Sequence, residues 1–238
     1  MNGLGGRRGT RLESAGSPLS SGGKKRSLRA GDRYGSYAQL AGRECEGRDF
    51  VRLLEVRPSG VAIIAPHGGG IEPGTSEIAQ ALAGSEFSLY CFEGVRARGN
   101  RGLHLTSIRF DEPSCIGLVQ RSRVVVAVHG CEEGDRSTHV GGLDEDLKTR
   151  LLEALGTFGF KAVGDSASRP GLDPRNICNR GASGKGVQLE ISKGLRLAMF
   201  EGLAREQRQY TTPHFGRFVL AVRGVLLAIG RDPGAAES

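Results

Sequence analysis

The chain has 238 residues, 38% of them apolar, with 38 glycines and a formal net charge of +7. That length supports one sizeable domain with a real hydrophobic core, and the longest apolar runs, such as Val124 to Val128, are far too short to span a bilayer. The five cysteines are scattered and form no Cys-x-x-Cys pair, which argues against both a disulfide framework and a cysteine zinc site and fits a reducing compartment.

At the N-terminus, residues 1–33 carry eight Lys or Arg against two acids, so the rest of the chain is left with a net charge of only +1. This segment is rich in Gly and Ser and has no apolar periodicity. It is expected to be a disordered, dispensable tail capable of weak nonspecific contact with polyanions. No apolar stretch follows Arg7 and Arg8, so no secretory signal is expected, and neither is a membrane partner; the expected location is the cytoplasm. A folded domain is expected over residues 34–232, followed by a short tail, 233–238.

Within that domain, Gly60 to Ala65 is a short continuous apolar run and reads as a buried strand. Thr75 or Ser76 is placed to cap a helix carrying Ile78, Ala79, Leu82 and Ala83, stopped by Gly84. Phe87–Phe92 and Leu103–Phe110 read as strands, and 112–121 as a helix. Val124–Val128 is the clearest buried strand. Leu143, Leu147, Leu151, Leu152 and Leu155 recur at helical spacing behind acids at 144–146. Residues 160–163 form a short strand. Val187, Leu189 and Ile191 alternate with Gln188, Glu190 and Ser192, a strand with one polar face. Thr212-Pro213 opens a final helix with Phe215, Phe218, Val219, Val222, Leu226 and Ile229 on one stripe. Cys45, Cys91, Cys115 and Cys178 read as small buried hydrophobes. Strands alternating with helices predict a three-layer α/β/α sandwich with a mixed, mostly parallel sheet, whose ligands gather beyond the carboxyl ends of the strands.

The candidate chemistry lies there. His67 follows the first buried strand and leads through Gly68-Gly69-Gly70 to Glu72; His129 follows the strongest strand. Two imidazoles and a carboxylate suit a catalytic zinc ion and leave one position open for water. Each histidine alone also reads as a hydrogen-bonded strand-end residue, and Pro66 to Gly70 as an anion-cradling loop. The known phosphate-loop patterns are absent. Composition and spacing leave the zinc and structural readings both open.

The run Ile64-Ala65-Pro66-His67-Gly68-Gly69-Gly70-Ile71-Glu72-Pro73-Gly74-Thr75-Ser76-Glu77 closely resembles the metal-binding signature of the phage-type poly-γ-glutamate hydrolase family. The resemblance continues through Leu103 to Ser107, Phe110 to Glu112, Val128 to Gly130, Asn176 to Gly181 and Gly186 to Arg196, in the family's order, over roughly residues 34–230. It implies a zinc carboxypeptidase-like fold, one zinc ion held by His67, Glu72 and His129, and a γ-glutamyl peptide or polymer as substrate.

Glu190, on the polar face of its strand, is the candidate general base, and its strand resembles the one bearing that glutamate in zinc carboxypeptidases. The structural alternative is a carboxylate bonded to Lys193 or Arg196. Arg180, with Asn179, is the candidate for holding a substrate carboxylate, by analogy of role with those enzymes. His104 reads as a structural neighbour rather than a ligand. His139, in a Gly-rich charged loop from Glu132 to Gly142, is a minor candidate. The competing reading of the whole chain is a non-catalytic polyanion- or nucleic-acid-binding protein that uses the basic tail.

Overall fold

The structure, a computed structural model, describes residues 32–164 and 170–230. Its strands are β1 Phe50–Glu55, β2 Val61–Gly69, β3 Ser88–Gly94, β4 Val124–Cys131, β5 Ser137–Gly142, β6 Lys161–Gly164 and β7 Val187–Ser192. Its α-helices are α1 Tyr37–Ala41, α2 Thr75–Ala83, α3 Pro113–Gln120, α4 Glu145–Thr157, α5 Lys193–Met199 and α6 Pro213–Gly230. The strands make one sheet in the order β1-β3-β2-β4-β7-β5-β6. The β3-β2-β4-β7 centre is parallel, β1 joins it antiparallel to β3, and β5 joins antiparallel to β7. This is the expected mixed, mostly parallel sheet.

The sheet's two faces bury two separate cores. Val61, Ile63, Ala65, Val126, Val128, Leu189 and Ile191 pack under α2, α4, α5 and α6. Ala62, Ile64, Tyr90, Phe92, Val125 and Ala127 pack under α1, α3 and a 3-10 turn at Ile177–Arg180. The alternation of neighbours between clusters is the period-two geometry of a strand buried on both faces. Helix α6 is long and apolar enough to cross a membrane by composition, but its stripe of Phe218, Ala221, Val222 and Leu226 is core.

Several expectations are corrected. Leu103–Phe110 is not a strand: it runs through two 3-10 turns, Asn100–Leu103 and Ser107–Arg109, separated by extended backbone. Part of the expected loop from Glu132 to Gly142 is strand β5, where the polar Ser137 and Thr138 are almost fully buried. Helix α2 is capped by Gly74 in a left-handed conformation, φ 101°, rather than by a hydroxyl side chain. Thr75 and Ser76 instead bond backwards: Thr75 Oγ1 donates to Glu72 O at 2.9 Å, and Ser76 Oγ accepts from Gly69 N at 3.0 Å. Cys45 is exposed, whereas Cys91, Cys115, Cys131 and Cys178 are buried. Asp32 and Arg33, assigned above to the tail, belong to the body, with Asp32 buried. The remainder of the N-terminal tail, residues 1–31, and the C-terminal tail, 233–238, lie outside the described residues, as do 231–232 of the expected domain.

Candidate metal centre and active site

Strands β2 and β3 are joined through α2 on one face, while β4, on the other side of β2, is reached through α3 on the opposite face. The carboxyl ends of β2 and β4 therefore flank the crevice where such sheets bind ligands. Pairing of β2 with β4 stops at Ile64 and Ala127, and pairing of β2 with β3 shifts register between Ala65 and Gly68. Pro66 sits in that break and has no N–H to give the ladder. His67 is the next residue, so the irregularity frees its ring to turn into the crevice. The glycines beyond it permit tight packing: a Cβ on Gly69, at φ 61°, would stand 2.6 Å from Gly94 O.

Four donor-bearing side chains converge here. His67 Nδ1 lies 3.2 Å from Glu72 Oε1, and His129 Nδ1 lies 3.8 Å from Glu72 Oε2. The two Nδ1 atoms are 3.1 Å apart. His67 Nε2 donates to Leu105 O at 2.8 Å, which leaves its Nδ1 without a proton in the neutral ring. His104 Nε2 stands 3.8 Å from Glu72 Oε1, and its ring lies over that of His67 with centroids 4.0 Å apart. His104 Nδ1 donates to Asp32 Oδ1 at 2.7 Å. Asp32 Oδ2 also accepts from Thr106 N, Thr106 Oγ1 and Arg109. Gly130 N donates to Glu72 Oε2 at 2.8 Å. Gly130 itself packs against Arg196, where a Cβ would meet the guanidinium at 2.6 Å.

Burial by itself would raise the Glu72 carboxyl, but the His67 and His129 imidazoles hold it well below the carboxylate range. The same burial opposes a charge on His129, and the bond to Glu72 with the charge of Glu190 outweighs it, raising that imidazole. His104 is pushed down, first by His67 and then by burial. With their outward nitrogens tied to acceptors, His67 and His104 turn the other ring nitrogen toward Glu72, which is how metal-binding histidines are oriented. The donor atoms of His67, Glu72 and His104 all lie within 4.8 Å of one another. Sequence reasoning set His104 aside as a structural neighbour. Its orienting partner, Asp32, is 72 residues away in the chain and had been assigned to the tail.

These groups line a pocket of ≈ 550 Å³ that also contains Glu190, Gln188, Asn176 and Asp173. Register pairs His129 with Glu190 across β4 and β7, which puts both side chains on one face. Asn176 Nδ2 donates to Gln188 Oε1 at 2.7 Å, and Gln188 Nε2 donates to Glu190 Oε1 at 3.3 Å. This relay fixes the carboxylate. The alternation of positions 188 and 190 was its only signal in the sequence. The two cations expected to hold Glu190 structurally are used elsewhere. Lys193 pairs with Glu132 at 3.6 Å, and Arg196 donates to the carbonyls of Pro73, Cys131 and Ile191.

Asn179 and Arg180 do not line this pocket. Asn179 is buried and its amide is spent on backbone: Nδ2 donates to Gly171 O at 2.7 Å and Oδ1 accepts from Leu143 N at 3.2 Å. Arg180 opens onto a neighbouring cleft. Their place in the 3-10 turn Ile177–Arg180, under the sheet, explains the displacement. Arg101, which sequence reasoning did not single out, is the one Lys or Arg among the described lining residues. His139 faces Glu190 across β5 and β7 but does not line the pocket.

A parallel-centred α/β sheet with imidazoles, carboxylates and a fixed glutamate at its strand ends defines a hydrolase acting on amide bonds. The family model described as Poly-gamma-glutamate hydrolase matches residues 34–221, and the chain belongs to that family. It is 36% identical to YmaC of Bacillus subtilis (strain 168) over 198 residues, 82% of this chain and 84% of that protein. A bacteriophage poly-gamma-glutamate hydrolase superposes with a TM-score of 0.81 at 32% identity, covering 83% of this chain and 98% of that one. The zinc-free form of YndL superposes with a TM-score of 0.79 at 34% identity, covering 82% and 98%.

Proposed function

We propose that this protein hydrolyses γ-glutamyl amide bonds, as in poly-γ-glutamate, using one zinc ion held by His67, Glu72 and His129. The observation that carries the reading is the convergence of the His67 and His129 ring nitrogens on the part-buried Glu72 carboxylate, beside an oriented second carboxylate. Zinc bound there would act as a Lewis acid toward the scissile carbonyl and the attacking water. Glu190 takes the proton of that water and hands it to the departing amine, held in position by Gln188 and Asn176. Arg101, at the rim, is placed to meet the α-carboxylate beside a γ-linked amide.

A second assignment of the third ligand has its own support. His104, oriented by Asp32, forms with His67 and Glu72 the compact donor group described above. Metal content of His104→Ala and His129→Ala separates the two, since only loss of a ligand abolishes stoichiometric zinc. The function itself is tested on the whole chain with γ-linked and α-linked glutamyl peptides, with and without chelator. Preferential, chelator-sensitive cleavage of the γ-linked series is the expected result. A protein that takes up no zinc, or that cleaves neither series when loaded, overturns the reading.

A further inference from the structure

Beside the histidine pocket lies a second cleft of ≈ 470 Å³, lined by Gly35, Ser36, Ile108, Arg109, Asp111, Pro174, Arg175 and Arg180. The two share a wall. The 3-10 turn Ser107–Arg109 gives Ser107 and Ile108 to the pocket, and Ile108 and Arg109 to the cleft. On the facing side Asp173 lines the pocket while Pro174 and Arg175 line the cleft. A chain leaving the pocket over Ile108 enters the cleft directly.

The charges of the cleft are unequally matched. Arg109 donates to Asp32 at 2.6 Å, and Arg175 pairs with Asp173 at 2.6 Å. Asp111 Oδ1 accepts from Tyr37 N at 2.6 Å. Arg180 has no carboxylate partner among the described residues; its guanidinium makes one long bond, 3.4 Å, to Phe110 O. A half-buried guanidinium with most of its donor fork free is a carboxylate receptor in waiting.

We propose that this cleft is a distal subsite that binds an α-carboxylate of the same γ-glutamyl chain, beyond the residue being cleaved, with Arg180 as its anchor. The assignment rests on the γ-glutamyl reading of the pocket, and it makes length of substrate a determinant of affinity. It also gives Arg180 a role different from the one its sequence context suggested, since the contact falls outside the reacting residue.

The test is calorimetric binding of γ-linked glutamate oligomers of increasing length to the zinc-loaded full chain carrying Glu190→Gln, with and without Arg180→Ala. Affinity should step up once the oligomer is long enough to pass Ile108. The step should shrink by about tenfold with Arg180→Ala, the usual worth of one charge-assisted contact, while the shortest oligomer binds as before. Arg180→Lys, which keeps the charge and loses the fork, should fall between. A step of equal size in both proteins, no step at all, or an equal loss for short and long oligomers overturns the subsite. Hydrolysis is measured separately on the chain that retains Glu190. If it cleaves nothing while the Arg180-dependent step persists, the catalytic reading fails and the binding cleft stands.

Discussion

Two polar regions of this molecule are built on opposite terms. Around β1 and α3, carboxylates meet guanidinium groups. Arg96 holds Glu44 and Asp49, and Arg52 holds Glu46 at 2.7 Å and Glu112 at 2.6 Å. At the ends of β2 and β4, Glu72 meets imidazoles and one backbone N–H. Arginine keeps its charge at any ordinary pH and offers only donors, so the first region is electrically closed. Histidine can shed its proton and present a lone pair, so the second can take up a cation. The lesson is that the base facing a carboxylate decides whether the pair is closed or still open to a cation.

Mutation should sharpen this contrast. The largest effect is expected from His67→Ala or His129→Ala: stoichiometric zinc, read by elemental analysis, should be lost and turnover should fall to background. Retained zinc in His129→Ala would move the third ligand to His104. Glu190→Gln should keep its zinc and lose activity by ~10²-fold or more, the usual worth of acid–base catalysis. Full turnover in that variant would assign the base elsewhere.

Asp32→Asn comes next, because it weakens the bond that orients His104. Loss of such an orienting partner costs on the order of tenfold in metal affinity or activity. Truncation before Asp32 should leave both unchanged, and truncation through Arg33 should reproduce the Asp32→Asn loss. An identical outcome for the two truncations would restore the original boundary of the tail. The smallest effect on chemistry is expected from Glu112→Gln, in the arginine-paired region. Glu112 is fully buried, caps α3 through Cys115 N at 2.8 Å and bonds Arg52. The change should lower stability by about 1–3 kcal/mol without touching zinc. Burial works to raise the Glu112 carboxyl, but the bonds from Cys115 and Arg52 prevail and lower it. Its contribution is therefore present above the unfolded-state value of about 4.3 and fades as pH falls toward the folded one. The acid limb of a wild-type melting profile should be steeper than that of Glu112→Gln.

The parts legible in the sequence were those whose signal is local. Val61–Ala65 and Val124–Val128 are buried on both faces and read as continuous apolar runs, and the residues that follow them, His67 and His129, inherit that certainty of place. Strand β1 escaped notice because it is an edge strand in which part-buried Val51 and Leu53 alternate with exposed Arg52 and Leu54. Strand β5 escaped because Ser137 and Thr138 are buried for their backbone pairing rather than for apolar area. Apolar spacing suggests a strand across Leu103–Phe110, yet Leu103 and Leu105 are buried from within turns and loop. The Asp32–His104 pair and the position of Arg180 depend on contacts between segments about 70 residues apart, which no local pattern encodes.

The burial of Asp32 beside His104 bears on how this protein can be handled and tethered. Any segment joined ahead of Asp32 starts at the mouth of the histidine pocket, since Asp32 is itself part of the lining. The other described end, Gly230, lies near Phe87, just before β3 begins, at the opposite end of the parallel strands. A fusion partner or surface attachment placed after α6 is thus held a full strand length from the entrance. One joined directly at Asp32 would start beside the pocket lining.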